Sequence, residues 1–175
     1  MPTLDEGDFE HLTLMAQLAV IERVAAGDPV NILGSSMGGY LAALYAARHS
    51  EVRRVVLLAP AFRLAECWEA RLGPVAMADW RKSGSMPVFH YGDLRERPLS
   101  PQLIDDAHRY EGYPDVRQPT LIFHGQNDDI VPVLDSVTFA STRPNVELDI
   151  LNSDHELGNV LEHMGDRSMA FLIAE

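Results

Sequence analysis

The chain has 175 residues, 46% of them hydrophobic, and its 14 basic and 26 acidic side chains give a net charge of −12. This length predicts one domain, residues 1–175, with a substantial core. The acidic balance argues against binding to nucleic acid or to an anionic membrane, because no basic stripe is present to displace counterions. No apolar run approaches the length of a membrane span. The lone Cys67 cannot form an internal disulfide, which favours a reducing, cytoplasmic location.

Few elements are predicted before residue 30. The sequence predicts the end of a strand at Thr3-Leu4 and a helix from about Phe9 to Ala26, where apolar residues recur at helical spacing. Gly27-Asp28-Pro29 then ends the helix, since a glycine followed by a proline is a termination signal.

A G-x-S-x-G stretch follows, with Ser36 as its central serine. It stands between a predicted strand, Val30–Leu33, and an alanine-rich predicted helix, Met37–His49, and this context is typical of a nucleophile elbow. Such a turn holds the serine in a strained conformation, and Gly34 and Gly38 have no Cβ to crowd the crossing of strand and helix. The alternative is a glycine-rich loop that only connects the two elements. No phosphate-binding glycine pattern matches.

The middle of the chain is predicted to be an insertion. Val52–Ala59 contains a continuous apolar run, which is typical of a central parallel strand. The following segment, about 60–118, is too long for a simple crossover and holds more than half of the chain's Phe, Trp and Tyr residues. Its patterns predict helices at Leu64–Leu72, Val75–Lys82 and Pro101–Tyr110, and a hairpin that begins at Val88–Tyr91.

Two interpretations of this insertion differ in function. In the first it is a cap over the site, and Trp68, Trp80 and Phe89 line a pocket for an acyl group. In the second it is an elaborated crossover whose aromatic residues form a small core of their own. We expect a cap.

The last third of the chain places two further polar residues after predicted strands. Leu121–His124 is a predicted buried strand, and Asp128 follows it; Val146–Leu151 alternates apolar and polar residues as an edge strand does, and His155 follows it. Ser36, Asp128 and His155 thus come in the chain order serine, acid, histidine. The carboxyl ends of parallel strands are where open α/β sheets gather their sites. Helices are predicted at Pro132–Ser141 and Leu157–Ala174.

Three motifs in this order, GSSMGG, HGQNDDIVP and SDHEL, resemble those of the α/β-hydrolase superfamily, and in particular of small bacterial esterase-like serine hydrolases of the YqiA type. The resemblance covers most of the chain. It implies an α/β fold with a mostly parallel sheet, helices on both faces and a cap-like insertion. It also implies that Ser36 attacks an acyl carbonyl, that His155 removes its proton, and that Asp128 fixes the imidazole tautomer.

Other polar residues near these motifs have simpler interpretations. Asp129 is an alternative to Asp128 as the acid, although the family spacing favours Asp128. His124 ends a strand before a glycine and is expected to be structural. Asp154 is expected to cap the following helix. No group of His, Cys, Asp and Glu has metal-ligand spacing, so neither a metal nor a cofactor is expected.

The front of the chain departs from the family pattern. Only 33 residues precede Gly34, and they contain no His-Gly pair of the kind that supplies an oxyanion donor in the family. The N-terminal strands and this loop are therefore expected to be absent. The Met37 N–H remains as one oxyanion donor. Without a neighbouring strand, Val30–Leu33 would be an open edge, and we expect self-association through it.

These observations predict a serine hydrolase that acts on an ester or thioester of a small or medium acyl group. The alternative is a hydrolase-fold protein that is catalytically impaired, or that binds a partner without catalysis, because half of the oxyanion machinery is missing.

Overall fold

The computed structural model describes residues 8–90 and 93–174. In chain order the elements are α1 (Leu14–Ala25), β1 (Val30–Ser35), α2 (Met37–Ala46), β2 (Val52–Leu58), α3 (Leu64–Ser83), β3 (Met86–His90), β4 (Arg95–Leu99), α4 (Gln102–Ala107), β5 (Thr120–Gly125), α5 (Val133–Ser141), β6 (Val146–Leu151), a 3₁₀ turn (Gly158–Val160) and α6 (Leu161–Ile173). None of the helices in this described part combines the length and apolar character that a membrane crossing requires.

Four strands form a parallel sheet in the order β1-β2-β5-β6. Every residue of β5 is buried, and β2 is largely buried, as their continuous apolar runs predict. β6 is an edge strand, as its alternating pattern predicts. Because all four strands run in one direction, the loops after β1, β5 and β6 leave the sheet at the same end.

The chain packs as two compact units. The sheet unit comprises Ala25–Arg63 and Gly112–Glu175, and it contains the whole parallel sheet. The insertion unit comprises Met1–Val24 and Leu64–Glu111. Of the insertion predicted over 60–118, the segment Leu64–Glu111 belongs to the insertion unit, and the two ends of the range belong to the sheet unit. The role of the insertion as a cap, and the prediction of a single domain, remain predictions.

The core of the sheet unit lies against both faces of the sheet. All residues of α2 from Gly39 to Ala46 are buried, the large Tyr40 and Tyr45 as well as the alanines. On β2 and β5, Val56, Leu121 and Phe123 form a second cluster with Met164 of α6. Burial of each such apolar side chain stabilises the fold by about 1.5–3 kcal/mol.

The two points where the chain leaves and re-enters the sheet unit are tied together. Arg63, the last residue before the insertion, donates its N–H to the carbonyl of Gly112 at 3.2 Å. The Arg63 guanidinium and the Tyr113 hydroxyl both donate to Oδ1 of Asp135, at 3.2 and 2.6 Å. Asp135 is buried on α5. These contacts, all within the sheet unit, hold Arg63 and Tyr113 against α5.

The insertion unit contains the predicted helices and hairpin. α3 consists of two helical segments, as predicted at Leu64–Leu72 and Val75–Lys82, and they are separated by a kink where Gly73 adopts a non-helical φ of 73° directly before Pro74. β3 and β4 pair antiparallel from Met86–Leu99 to His90–Arg95. The predicted helix Pro101–Tyr110 is shorter, at Gln102–Ala107.

Two helix boundaries differ from the sequence prediction. α1 begins at Leu14 rather than near Phe9, because the Thr13 hydroxyl accepts the Ala16 N–H and so caps the helix start. The terminal helix predicted from Leu157 is a 3₁₀ turn followed by α6, since Leu157 has a φ of 57°. The strand end predicted at Thr3-Leu4 lies outside the described residues.

Candidate active site

Ser36 lies at the sharp turn between β1 and α2. Its φ of 52° and ψ of −121° are strained for a residue with a Cβ. Its N–H donates to the Leu58 carbonyl at 2.8 Å, and its carbonyl accepts the N–H groups of Tyr40 and Ala61 at 3.1 and 3.0 Å. The backbone is thus fixed on both sides, while the hydroxyl makes no helix-capping bond. The side chain is left available for other partners.

The glycines of the elbow are required by close backbone approach. A Cβ at Gly34 would collide with the backbone carbonyl of Gly38, so the strand can approach the helix this closely only with glycine at position 34. Gly39 is also tightly enclosed, 3.1 Å from its ideal Cβ position to Pro60 Cβ. Met37 is the first residue of α2, and N–H groups at a helix start have no acceptor within the helix.

Asp128 lies in the loop after β5, with a fully buried carboxylate. Its Oδ1 accepts the N–H groups of Ile130 and Val131 at 2.9 and 2.8 Å, and its Oδ2 lies 2.7 Å from Nδ1 of His155 and 3.2 Å from Nε2 of His124. Burial alone raises the pKa of Asp128, but these four hydrogen bonds outweigh it and hold the pKa well below its ordinary value of 3.8. The carboxylate is therefore ionised at neutral pH.

His155 lies in the loop after β6 and links the other two residues. Its Nε2 is 3.1 Å from Ser36 Oγ, and its Nδ1 is 2.7 Å from Asp128 Oδ2. The loop lies so close to β5 that a Cβ at Gly125 would collide with the Asp154 carbonyl. The glycine of the His-Gly pair at the end of β5 thus makes room for the loop that carries His155.

The ionised Asp128 determines the proton positions. Since an ionised carboxylate only accepts hydrogen bonds, Nδ1 of His155 carries the proton. Nε2 of the neutral ring then has a free lone pair and accepts the Ser36 hydroxyl. This arrangement can draw a proton from Ser36 and hold the resulting imidazolium next to a negative charge, as in a serine nucleophile with its base and orienting acid.

The structure brings Ser36, His155 and Asp128 together and leaves the alternative acid outside the chain of hydrogen bonds. Asp129 is exposed, while its neighbour Asp128 contacts His155. Asp154 does not cap a helix as expected; its Oδ1 accepts the Glu156 N–H at 3.1 Å in a turn before the 3₁₀ segment. Among the described residues, no group of three or more His, Cys, Asp or Glu side chains is placed to hold a metal ion.

The aromatic residues predicted to line an acyl pocket all belong to the insertion unit. Trp80 is 2% exposed and donates its indole N–H to the Leu99 carbonyl at 2.8 Å, which assigns it a packing role in this unit. Trp68 is half-buried against Trp80, with ring centroids 5.6 Å apart. Phe89 is 48% exposed. Contact with a substrate therefore remains a prediction for Trp68 and Phe89, whose rings are partly exposed, and is less compatible with the buried ring of Trp80.

Sequence reasoning missed the position of His124. The side chain is fully buried at the end of β5 and contacts the carboxylate of Asp128. The histidine four residues before the acid was the available signal, but a spacing of four across a turn does not by itself predict contact.

Residues 1–172 match the model of the Uncharacterised protein family (UPF0227). No curated protein matches the chain.

The fold is shared with solved structures of several hydrolases. A putative hydrolase from Agrobacterium vitis S4 has a TM-score of 0.77 at 24% identity, over 94% of this chain and 71% of that one. Est1E from Butyrivibrio proteoclasticus has a TM-score of 0.74 at 22% identity, over 93% and 71%. Alpha/beta hydrolase domain-containing protein 10 from mouse has a TM-score of 0.74 at 20% identity, over 95% and 73%. These matches confirm the predicted α/β-hydrolase fold.

Proposed function

The chain belongs to the Uncharacterised protein family UPF0227, and from the geometry of its site we propose that it is a serine hydrolase that cleaves an ester or thioester of a small or medium acyl group. One observation carries the proposal. It is the continuous chain of hydrogen bonds from Ser36 through His155 to a buried, ionised Asp128, with lengths of 3.1 and 2.7 Å. A strained serine whose hydroxyl makes no helix-capping bond, at the start of a buried helix, supports it.

The proposed reaction begins with attack of Ser36 Oγ on the acyl carbonyl carbon. His155 Nε2 takes the hydroxyl proton, and the carbonyl oxygen becomes an oxyanion that accepts the Met37 N–H. The tetrahedral intermediate collapses, the bond to the leaving alcohol or thiol breaks, and His155 returns the proton to that group. A water molecule then attacks the acyl-serine with the same base, releasing the carboxylic acid and Ser36.

Asp128 has one task in this scheme. It keeps the Nδ1 proton of His155 in place, so that Nε2 faces the serine, and its charge stabilises the imidazolium that forms in each half of the reaction. The scheme needs no cofactor, since Ser36 is the nucleophile, His155 transfers the protons and water hydrolyses the acyl-enzyme.

The function is tested with p-nitrophenyl esters of increasing acyl length, and with the matching thioesters of each acyl group. Hydrolysis of either series supports the proposal, and the ratio between them identifies the preferred leaving group. A folded protein that cleaves neither series and whose Ser36 does not react with a fluorophosphonate would favour the alternative, a hydrolase-fold protein that binds a partner without catalysis.

We also propose that the insertion unit controls acyl-chain selectivity. Trp68→Ala and Phe89→Ala each remove an aromatic surface that is at least partly exposed. We therefore expect each to shift the preferred acyl length, measured as kcat/KM across the p-nitrophenyl series. Trp80→Ala is the contrasting variant, since loss of its buried ring is expected to lower the melting temperature. A chain-length profile that is unchanged in both Trp68→Ala and Phe89→Ala would contradict the proposal that the insertion unit controls acyl-chain selectivity.

A further proposal concerns the edge of the sheet. β1 is an outermost strand of the described sheet, and it carries Leu33 with 55% of its surface exposed. Exposed edge strands favour pairing between chains, so we expect concentration-dependent self-association. Light scattering is expected to detect it, and Leu33→Lys is expected to reduce it, since a charge on an edge strand opposes pairing. A monomer at all concentrations would contradict this.

A cytoplasmic location, consistent with the single Cys67, completes the proposal.

A further inference from the structure

The carboxylate of Asp128 is held by two imidazoles, not one. His155 and His124 both approach Oδ2, at 2.7 and 3.2 Å, while the other oxygen, Oδ1, accepts backbone N–H groups. The His124 ring contacts Asp128, the Val131 carbonyl and the Ser136 hydroxyl. It is fully buried, as is Ser136 of α5.

The partners of His124 determine its tautomer. Nε2 lies 3.1 Å from the Val131 carbonyl and 3.2 Å from the ionised Asp128, and both groups only accept hydrogen bonds. Nε2 therefore carries a proton and shares it between them. Nδ1, 2.8 Å from the Ser136 hydroxyl, accepts that hydroxyl proton in the neutral ring. The Val131 carbonyl and the Asp128 carboxylate thus set the tautomer, and the Ser136 hydroxyl is compatible with it as a donor to Nδ1.

We propose that His124 is a positioning residue of the active site, which acts on catalysis through Asp128. Its Nε2–H fixes the rotamer of the carboxylate, so that Oδ2 stays directed at Nδ1 of His155, and it takes up part of the negative charge on that oxygen. Ser136 supports it by donating to Nδ1 and so orienting the ring. The inference rests on the proposed function and extends the triad to a chain of five side chains: Ser36, His155, Asp128, His124 and Ser136.

This role predicts a shift in the pH dependence of catalysis. The titratable side chains that contact Asp128 are His155 from the loop after β6 and His124 from β5, and Ser136 of α5 is the polar group that faces His124. When His124 is removed, Oδ2 keeps only His155 as a side-chain donor. The less solvated carboxylate then holds the imidazolium of His155 more tightly, so the ring loses its proton at higher pH. The acid limb of kcat/KM is expected to move to higher pH.

The test compares His124→Phe with His124→Gln. Phenylalanine keeps the ring shape without a donor, whereas the amide nitrogen of glutamine is the same number of bonds from Cβ as Nε2 and restores an N–H. We expect His124→Phe to lower kcat/KM by about 10- to 100-fold, as loss of an outer hydrogen-bond partner does around metal ligands, and to shift the acid limb upward. His124→Gln is expected to recover most of both. Ser136→Ala is expected to lie between them.

A control separates this role from simple packing. His90 is a buried histidine of the insertion unit that accepts the Asp93 N–H at 3.0 Å. His90→Phe is expected to change the melting temperature without moving the acid limb. An acid limb that stays at the wild-type pH in a folded His124→Phe, or one that moves equally in Phe and Gln variants, would overturn the proposal.

A second readout does not require turnover. The Cε1–H resonance of His155 follows its protonation in an NMR titration, and its midpoint is expected to rise in His124→Phe and return in His124→Gln. If the wild type neither hydrolyses a substrate nor reacts with a fluorophosphonate at Ser36, but the midpoint shifts as expected, the proposed function fails while the positioning role stands. If the wild type is active and the midpoint does not shift, the positioning role fails alone.

Discussion

Replacing Ser36 by alanine is expected to abolish ester hydrolysis, with a fall in kcat of about a million-fold, as removal of a triad nucleophile does in a serine protease. The reason is local: the hydroxyl is the only group of the elbow that contacts Nε2 of His155, at 3.1 Å. His155→Ala is expected to cost nearly as much, because no other base contacts the hydroxyl among the described residues. The double variant is expected to be no worse than either single one, since the residues act as a unit.

The matched control for this prediction is Ser35→Ala. Ser35 is the adjacent serine and the last residue of β1, and its side chain is exposed. It is expected to keep wild-type activity and a wild-type melting temperature. Initial rates with a short p-nitrophenyl ester, together with circular dichroism of each variant, measure these effects. Substantial hydrolysis by either Ser36→Ala or His155→Ala would mean that the nucleophile or the base is another residue.

The second large effect is expected at the acid. Asp128→Asn is expected to lower kcat by roughly 10⁴-fold, because a neutral amide no longer requires the proton to sit on Nδ1 of His155 and permits the unproductive tautomer. Asp129→Asn changes the neighbouring exposed carboxylate by the same chemistry and is expected to have little effect. A greater loss of kcat in Asp129→Asn than in Asp128→Asn would reverse the assignment.

The same substitution predicts a pH dependence of stability. The pKa of Asp128 is lowered in the folded state, so ionisation favours folding above the unfolded pKa, and this stabilisation disappears as the pH falls through the lower folded pKa. Wild type is therefore expected to melt at a higher temperature than Asp128→Asn near neutral pH. The two melting temperatures are expected to converge in strong acid. A constant difference across this range would show that the carboxylate charge does not contribute.

The reactive end of the sheet could be predicted from the sequence because its parts are local. The strand, turn and helix around Ser36 are contiguous in the sequence. Ser36, Asp128 and His155 each follow a predicted strand, and the carboxyl ends of parallel strands meet at one edge of the sheet. Gly34 was predictable for the same reason, since its close partner Gly38 is four residues away. The need for glycine at position 125 was not predictable, because the backbone that approaches it, at Asp154, follows a different strand, β6.

Other features depended on contacts between distant residues, which no spacing reveals. The contacts of His124 are an example, since it meets Asp128 of the next loop and Ser136 of α5. Trp80 resembled a pocket residue because its aromatic character was visible and its burial was not. The start of α1 was misplaced because Phe9, which fits the apolar pattern of that helix, instead packs against the ring of His90 at 4.7 Å.

Activity alone cannot separate the proposed enzyme from an inactive relative of the same shape, since an unsuitable substrate would also give no turnover. A covalent probe avoids this difficulty, because a fluorophosphonate reacts with an activated serine whatever its natural acyl group. The adduct displaces fluoride and leaves a phosphonyl group on the attacking oxygen, and peptide mass spectrometry identifies the residue that carries it.

The measurement that tests the account most directly is therefore the rate and position of fluorophosphonate labelling of the folded chain. We predict a single adduct on Ser36, absent in Ser36→Ala, strongly slowed in His155→Ala, and formed at the wild-type rate in Ser35→Ala. A folded wild-type protein that takes up no probe, or one whose adduct lies on another residue, would contradict the assignment of Ser36 and His155 as nucleophile and base.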